Sequence, residues 1–247
     1  MARRAVALVT VNETCAEVLQ RRLRPRRTII VRNCPPRWAP SDPPSKRLRD
    51  AVGVPDSTPL ILYHGGFVPG RGIEQLAESI LAPGLASAHV AFLGFGPLRT
   101  ELDQMTRDPR FGGRLHLLDV VVPDELLDWV AGADATVSLL QPTPQNHMFA
   151  TPNKLWEGLA AGVPVIVSDF PIIRRIVMDD PVGPLGATCD PTDPLSIAGA
   201  IRAIVERQPD ERAALRARCL RVAHERWNWE SESARLVDLY AGIRTSN

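Results

Sequence analysis

The sequence predicts an α/β fold: a doubly wound parallel sheet covered by helices, with further helices at its C-terminal end. Three observations carry this. Short apolar runs rich in β-branched residues alternate with helical segments from residue 60 onward. Those runs are apolar on both faces, as buried parallel strands are and half-exposed antiparallel strands are not. Residues 151–169 (TPNKLWEGLAAGVPVIVSD) read as a short capped helix feeding one such strand, the unit from which these sheets are built.

The elements follow in order. Residues 5–11 (AVALVTV) form a β-type run, a helix covers 13–23, and a second strand over 28–31 stops at Asn33 and Pro35-Pro36. Prolines at 35, 36, 40, 43, 44 and 55 mark a linker or crossover around one short helix near 45–52. Strand–helix units then run 60–64 with 73–81, 88–93 with 98–106, and 115–118 with 123–131. A strand at 135–139, the helix from Thr151, a strand at 163–167 and a weaker strand at 185–189 complete the sheet. The last third is helical over 193–206, 210–226 and 229–244, where Trp229, Leu236, Leu239 and Tyr240 give the final helix an apolar face. The expected organisation is a strand–helix–strand unit at 1–33, a proline-rich linker at 34–58, a main domain at 59–226 and a terminal helix at 227–247.

Composition narrows the function. A chain of 247 residues, 45% hydrophobic and 23% charged, is an ordinary soluble globular protein able to bury a substantial core. Its net charge of +1 gives no bulk attraction for nucleic acid. Cys15, Cys34, Cys189 and Cys219 are far apart and without zinc spacing, so they read as idle thiols in a reducing compartment, and no metal site is expected. With no long apolar span and no signal-peptide core, the expectation is a cytoplasmic protein. Arg21, Arg22, Arg24, Arg26 and Arg27 read as a solvated helix end favoured by the C-terminal dipole, or as a contact with an anionic membrane at its inner face.

Ligands of doubly wound sheets bind at the carboxyl ends of the strands. The loops there are 64–72 (HGGFVPGRG), 94–99 (GFGPLR), 119–122 (DVVV), 141–152 and 168–170, all five expected to face one crevice. In the last helix-bearing stretch Thr151 suits an N-cap and Pro152 the first helical position, leaving free backbone N–H groups at a positive dipole end. Lys154 adds a charge in the first turn, and Glu157 lies three residues on, on the same face. Cation, amides and carboxylate together suggest a nucleotide-diphosphate site; an exposed Lys154–Glu157 ion pair is the bland alternative. Composition favours the former. Of 29 lysines and arginines only Lys46 and Lys154 are lysine, so an ammonium at 154 is selected rather than incidental.

Gly65 and Gly66 let backbone amides approach a phosphate, with Arg71 beside them, or serve a packing turn. The 94–99 loop has Arg99 where a dinucleotide fingerprint needs its third glycine, which argues against NAD. His64 and His147 fall on the functional side, whereas His89, His116 and His224 sit in structural contexts. Asp169 could meet a ligand or cap the next helix.

These residues resemble the C-terminal, donor-binding domain of GT-B glycosyltransferases, in particular the retaining group known as family 4. The resemblance rests on residues 9–13 (VTVNE) with 32–35 (RNCP), on 62–72 (LYHGGFVPGRG), 92–98 (FLGFGPL) and 132–135 (GADA), and on the 151–168 stretch. It implies a Rossmann-like half of the GT-B fold that binds a UDP- or GDP-sugar, without a required cofactor or essential metal. In it Arg71 and Lys154 would stabilise the leaving diphosphate, and Glu157 would hold the ribose hydroxyls. Val120 and Val121 would meet the base, with Gly65, Gly66, Gly94, Thr151, Pro152 and Asn153 lining the donor site. Gly66 stands where many members carry arginine, and Phe149 stands at the donor-sugar position where they carry glutamate. The resemblance further implies an acceptor-binding domain, in the same protein or a second chain, with residues 1–33 as a hinge-like remnant and 227–247 as a crossover helix. A non-catalytic donor-binding subunit is the rival expectation. A GT-B sugar epimerase would need carboxylate acid/base pairs that the sequence does not offer.

Overall fold

A computed structural model describes residues 5–41, 44–143 and 145–244. The segments read as 1–33, 34–58, 141–152 and 227–247 each contain residues outside this set. The chain opens with β1 (Leu8–Thr10), α1 (Glu13–Leu23) and β2 (Thr28–Ile30), and the two strands pair in parallel as a separate small sheet. Asn12 caps α1, its side chain accepting from the Cys15 amide. After α2 (Arg47–Val52) come β3 (Leu60–Gly66), α3 (Ile73–Ser79), β4 (His89–Phe95), α4 (Arg99–Arg107), β5 (Leu115–Leu118) and α5 (Leu126–Ala131). The chain continues through β6 (Ala135–Ser138), α6 (Gln145–Phe149), α7 (Asn153–Ala160), β7 (Val165–Ser168), α8 (Pro171–Val177) and β8 (Gly186–Cys189). It ends with α9 (Pro194–Val205), α10 (Pro209–Glu225) and α11 (Trp229–Arg244).

The main sheet is parallel, in the order β5-β4-β3-β6-β7-β8. The chain therefore builds outward from β3 to β5, then returns to the other side of β3, leaving a topological switch between β3 and β6. Alternation along β3 divides the core. Ile61 and Tyr63 join the layer of α3, α4 and α9, while Leu60 and Leu62 face the opposite layer with α5. A second cluster packs β7 against α7, α8 and α10 around Leu155, Trp156 and Leu159. The cysteines are free, and burial pushes the thiols of Cys34, Cys189 and Cys219 up to about 12.

Several boundaries differ from expectation. The first strand is only Leu8–Thr10. Gly65 and Gly66 are strand rather than loop, because β3 continues pairing to Gly65↔Gly94 and Gly66↔Phe95. That pairing is unusually close: a Cβ on Gly94 would stand 2.0 Å from the Gly65 carbonyl oxygen. Thr151 is not the helix cap. The residue before proline is pushed toward extended backbone, Pro152 occupies the cap position, and the Thr151 hydroxyl accepts from Asn12 Nδ2 at 3.4 Å. The strand read at 163–167 begins at Val165, because Val163 donates to Gly158 at the helix end and Pro164 has no N–H. The short α6 was not anticipated.

α11 turns back to the N-terminal unit, the Trp229 amide donating to the Pro35 carbonyl. Arg32, 6% exposed, pairs with the fully buried Glu232 and with Glu13, and lies over the Trp227 ring. Beyond these ties, Val6, Val9 and Val11 near β1 and Val237 and Tyr240 on α11 remain exposed.

α7 lies close on the sheet because Gly158 has no side chain; a Cβ there would meet Thr136 Cγ2 at 2.4 Å and Val165 Cγ1 at 2.6 Å. Gly158→Ala is therefore expected to destabilise the chain by about 1–3 kcal/mol in urea unfolding, the usual range for overpacking, despite alanine's better helix propensity.

Candidate functional site

The switch between β3 and β6 opens into a cavity of about 600 Å³. Its walls are the ends of β3 and β4, the segment after β5, and the first turn of α7. α7 presents its N-terminus here, where the first amides have no intrahelical acceptor and the dipole is positive.

Lys154 is the second residue of α7, and its chain runs back over the end of β3. Gly65, at φ +106, makes that path possible: a Cβ there would press on Lys154 Cε and Nζ, each 3.2 Å away. The ammonium stands 4.3 Å from the Tyr63 ring centroid and donates to the Tyr63 hydroxyl at 3.3 Å. That hydroxyl in turn donates to the Gly66 carbonyl at 2.7 Å. Burial, then the neighbouring Arg71 charge, push the lysine down to about 8, against a smaller upward pull from Glu157. Among the described residues neither Lys154 nor Arg71 has an ion-pair partner, and both line the cavity. Two such cations beside the first amides of α7 are chemistry suited to a multiply charged anion.

Glu157 lies one turn further along the same wall. Its Oε2 is 2.9 Å from His64 Nε2, and His64 Nδ1 is 3.2 Å from the Thr136 hydroxyl. Burial pushes the imidazole down more strongly than Glu157 raises it, so His64 is the neutral ring. A carboxylate opposite Nε2 then requires the hydrogen on Nε2. The far wall is apolar, formed by Leu93, Val121, Pro123 and Leu126 with exposed Phe95 and Val120 at the rim. Arg99 braces this side, donating to the Gly94 carbonyl and pairing with Asp119 at 2.7 Å.

Eleven of the residues singled out in the sequence meet at this cavity: His64, Gly65, Gly66, Arg71, Gly94, Val120, Val121, Pro152, Asn153, Lys154 and Glu157. Phe149 and Thr151 are not on its wall. Phe149 ends α6 and Thr151 lies in the loop before α7, and the Phe149 carbonyl and Thr151 hydroxyl both accept from Asn12 Nδ2. The five loops do not share one crevice either. Pro142, Asp169 and Phe170 line a different hollow with Thr188 and Asp190, beyond β7. Asp169 caps nothing; it receives Arg174. His147 donates through Nδ1 to the Gln141 carbonyl at 2.9 Å and packs near Gly70. His89 and His116 stack on one another. Tyr63 is the residue that motif reading passed over; its only sequence signal is a polar-tipped aromatic in an otherwise aliphatic strand.

The sheet order and the crevice at its switch point define a Rossmann-like domain of the GT-B type. Residues 58–207 match the family model of group 1 glycosyl transferases, and the chain belongs to that family. It is 28% identical over 210 residues to a D-inositol 3-phosphate glycosyltransferase of Xylanimonas cellulosilytica, an overlap of 82% of this chain and 47% of that protein. It is 25% identical over 211 residues to a GDP-mannose-dependent alpha-(1-6)-phosphatidylinositol monomannoside mannosyltransferase of Mycolicibacterium smegmatis, 84% of this chain and 54% of that one. The chain thus spans about half the length of the curated relatives it matches. A sucrose-phosphate synthase from Thermosynechococcus elongatus superposes with a TM-score of 0.76 at 19% identity, over 100% of this chain and 60% of its own. Anabaena HepE, solved in complex with UDP, gives 0.74 at 16% identity, over 98% and 65%.

The two lysines provide a direct check. After reductive ¹³C-methylation, Lys154 is expected to titrate by NMR near pH 8, while Lys46, raised by its bond to Asp56, titrates above the ordinary lysine range. Two lysine signals that both titrate above pH 10 would contradict the desolvated position of Lys154.

Proposed function

We propose that this chain is the donor-binding half of a glycosyltransferase that transfers sugar from a UDP- or GDP-sugar with retention. The observation that carries the reading is the pair of cations, Lys154 and Arg71, that converge beside the N-terminus of α7 without an ion-pair partner among the described residues. A sugar nucleotide offers matching chemistry. Its diphosphate meets the cations and helix amides, its ribose meets Glu157, and its base lies against the apolar wall of Val120, Val121 and Leu126. As the glycosidic bond breaks, negative charge grows on the departing diphosphate. Fixed charges and amides already aimed at that point stabilise it without reorganising. Charge neutralisation by Lys154 and Arg71 makes a required cofactor unnecessary in this scheme.

In this reading a second, acceptor-binding domain closes the cleft, from the same protein or another chain. Two observations support it: the uncovered valines around the small β1–β2 sheet, and the span of about half the matched relatives. Parallel sheets are ordinarily covered on both faces, and a two-stranded one is not independently stable. Arg21, Arg22, Arg24, Arg26 and Arg27 on the same unit are exposed, a surface suited to an anionic membrane face. Among the described residues no helix is long and apolar enough to cross a membrane.

Calorimetry with UDP and GDP tests the site. The wild type is expected to bind at least one of them, and Lys154→Met to weaken it tenfold or more, as loss of a charge-assisted contact to phosphate does. Equal affinities would overturn the assignment. The ratio of the two affinities also has a pH sign. Bound diphosphate favours the charged lysine, so the wild-type advantage is full below about pH 8, where the free protein already carries the proton. It shrinks above that, because binding must then take a proton up.

A further inference from the structure

β3 buries an imidazole where its neighbours are aliphatic. His64 is 2% exposed and follows Leu60 and Leu62 on the same face of the strand, both fully buried. A polar ring in that position carries a desolvation penalty that a leucine would avoid, so its partners matter. Thr136 on β6 and Glu157 on α7 supply them, at 3.2 Å and 2.9 Å. Three separate elements thus converge on one ring. The register Leu62↔Thr136 and the close seat of α7 at Gly158 hold them in place.

We propose that His64 is a positioning residue for Glu157: its Nε2–H fixes one carboxylate oxygen, so that the other faces the cavity to accept from the ribose hydroxyls. The inference rests on the nucleotide reading of the site and adds the group that orients its ribose contact. Glutamate has three rotatable side-chain bonds, and a bifurcated ribose contact needs the carboxylate in one plane. His64 holds Oε2, and Oε1 is left for the ligand. A neutral imidazole suits this task better than a charged one. It donates a single directed hydrogen bond without neutralising the carboxylate that must receive the sugar hydroxyls. In this tautomer Nδ1 is an acceptor, and the Thr136 hydroxyl turns its one hydrogen to it at 3.2 Å rather than to the Leu62 carbonyl at 3.1 Å.

The test separates ribose from phosphate. Affinities of the full chain are measured for whichever of UDP and GDP the wild type binds more tightly, for its 2′,3′-dideoxy analogue, and for inorganic pyrophosphate. Three proteins are compared: wild type, His64→Leu and His64→Gln. The wild type is expected to prefer the ribonucleotide over the dideoxy analogue by about tenfold, the scale of one charge-assisted hydrogen bond. In His64→Leu that preference falls to within about twofold while pyrophosphate binding is unchanged, which shows the fold and the phosphate site to be intact. His64→Gln, which returns an N–H donor, recovers most of the preference. Full preference in His64→Leu overturns the positioning role and leaves the nucleotide reading standing, as does parallel loss of pyrophosphate binding in both variants, which marks His64 as structural. A wild type without any preference for ribose overturns the assignment of Glu157 and the positioning role together.

Discussion

A lysine ammonium partly withdrawn from water, with no carboxylate paired to it among the described residues, is the constraint around which this domain is arranged. Such a charge is tolerated only with compensation, and here it is incomplete: an aromatic face, one hydroxyl and a glutamate that stands close without pairing. The depressed pKa reports the deficit. In the proposed function, an anion arriving in the cavity removes that deficit. Arg71 adds to the same imbalance, since its charge pushes Lys154 down.

The backbone makes this arrangement possible at the ends of β3 and β4. Without a Cβ at Gly65 the lysine lies along the strand, and without one at Gly94 the two strands stay in contact to their tips. On the other side Gly158 lets α7 settle against Thr136 and Val165, which sets the height of the helix over the sheet. The first turn of α7, carrying Lys154, and its next turn, carrying Glu157, therefore meet β3 at Tyr63 and His64. Adjacent strand residues, pointing to opposite faces, each hold one functional side chain of the helix.

Much of this was legible in the chain. The β-branched runs and their alternation with helices define the doubly wound sheet, because burial on both faces leaves a pattern in the residues themselves. The scarcity of lysine pointed to Lys154, and the spacing to Glu157. What could not be read were relations between distant segments. Tyr63 and Lys154 are 91 positions apart, and His64 and Glu157 are 93 apart; no local periodicity encodes such a pair. The expected single crevice divided in two because Asp169 follows β7, two strands away from the switch point at β3. The misplaced cap has a similarly distant cause, since Thr151 satisfies the conventional preference but its hydroxyl accepts from Asn12, 139 positions away.

The central claim is that a diphosphate completes the environment of Lys154, and proton linkage measures this most directly. Calorimetric titration of UDP or GDP at pH 8, repeated in buffers of different ionisation enthalpy, counts protons exchanged on binding. With the free lysine near pKa 8 and the bound one fully charged, about half a proton is taken up per nucleotide, and none by Lys154→Met. Binding with no proton uptake, or with the same uptake in the variant, would contradict the account.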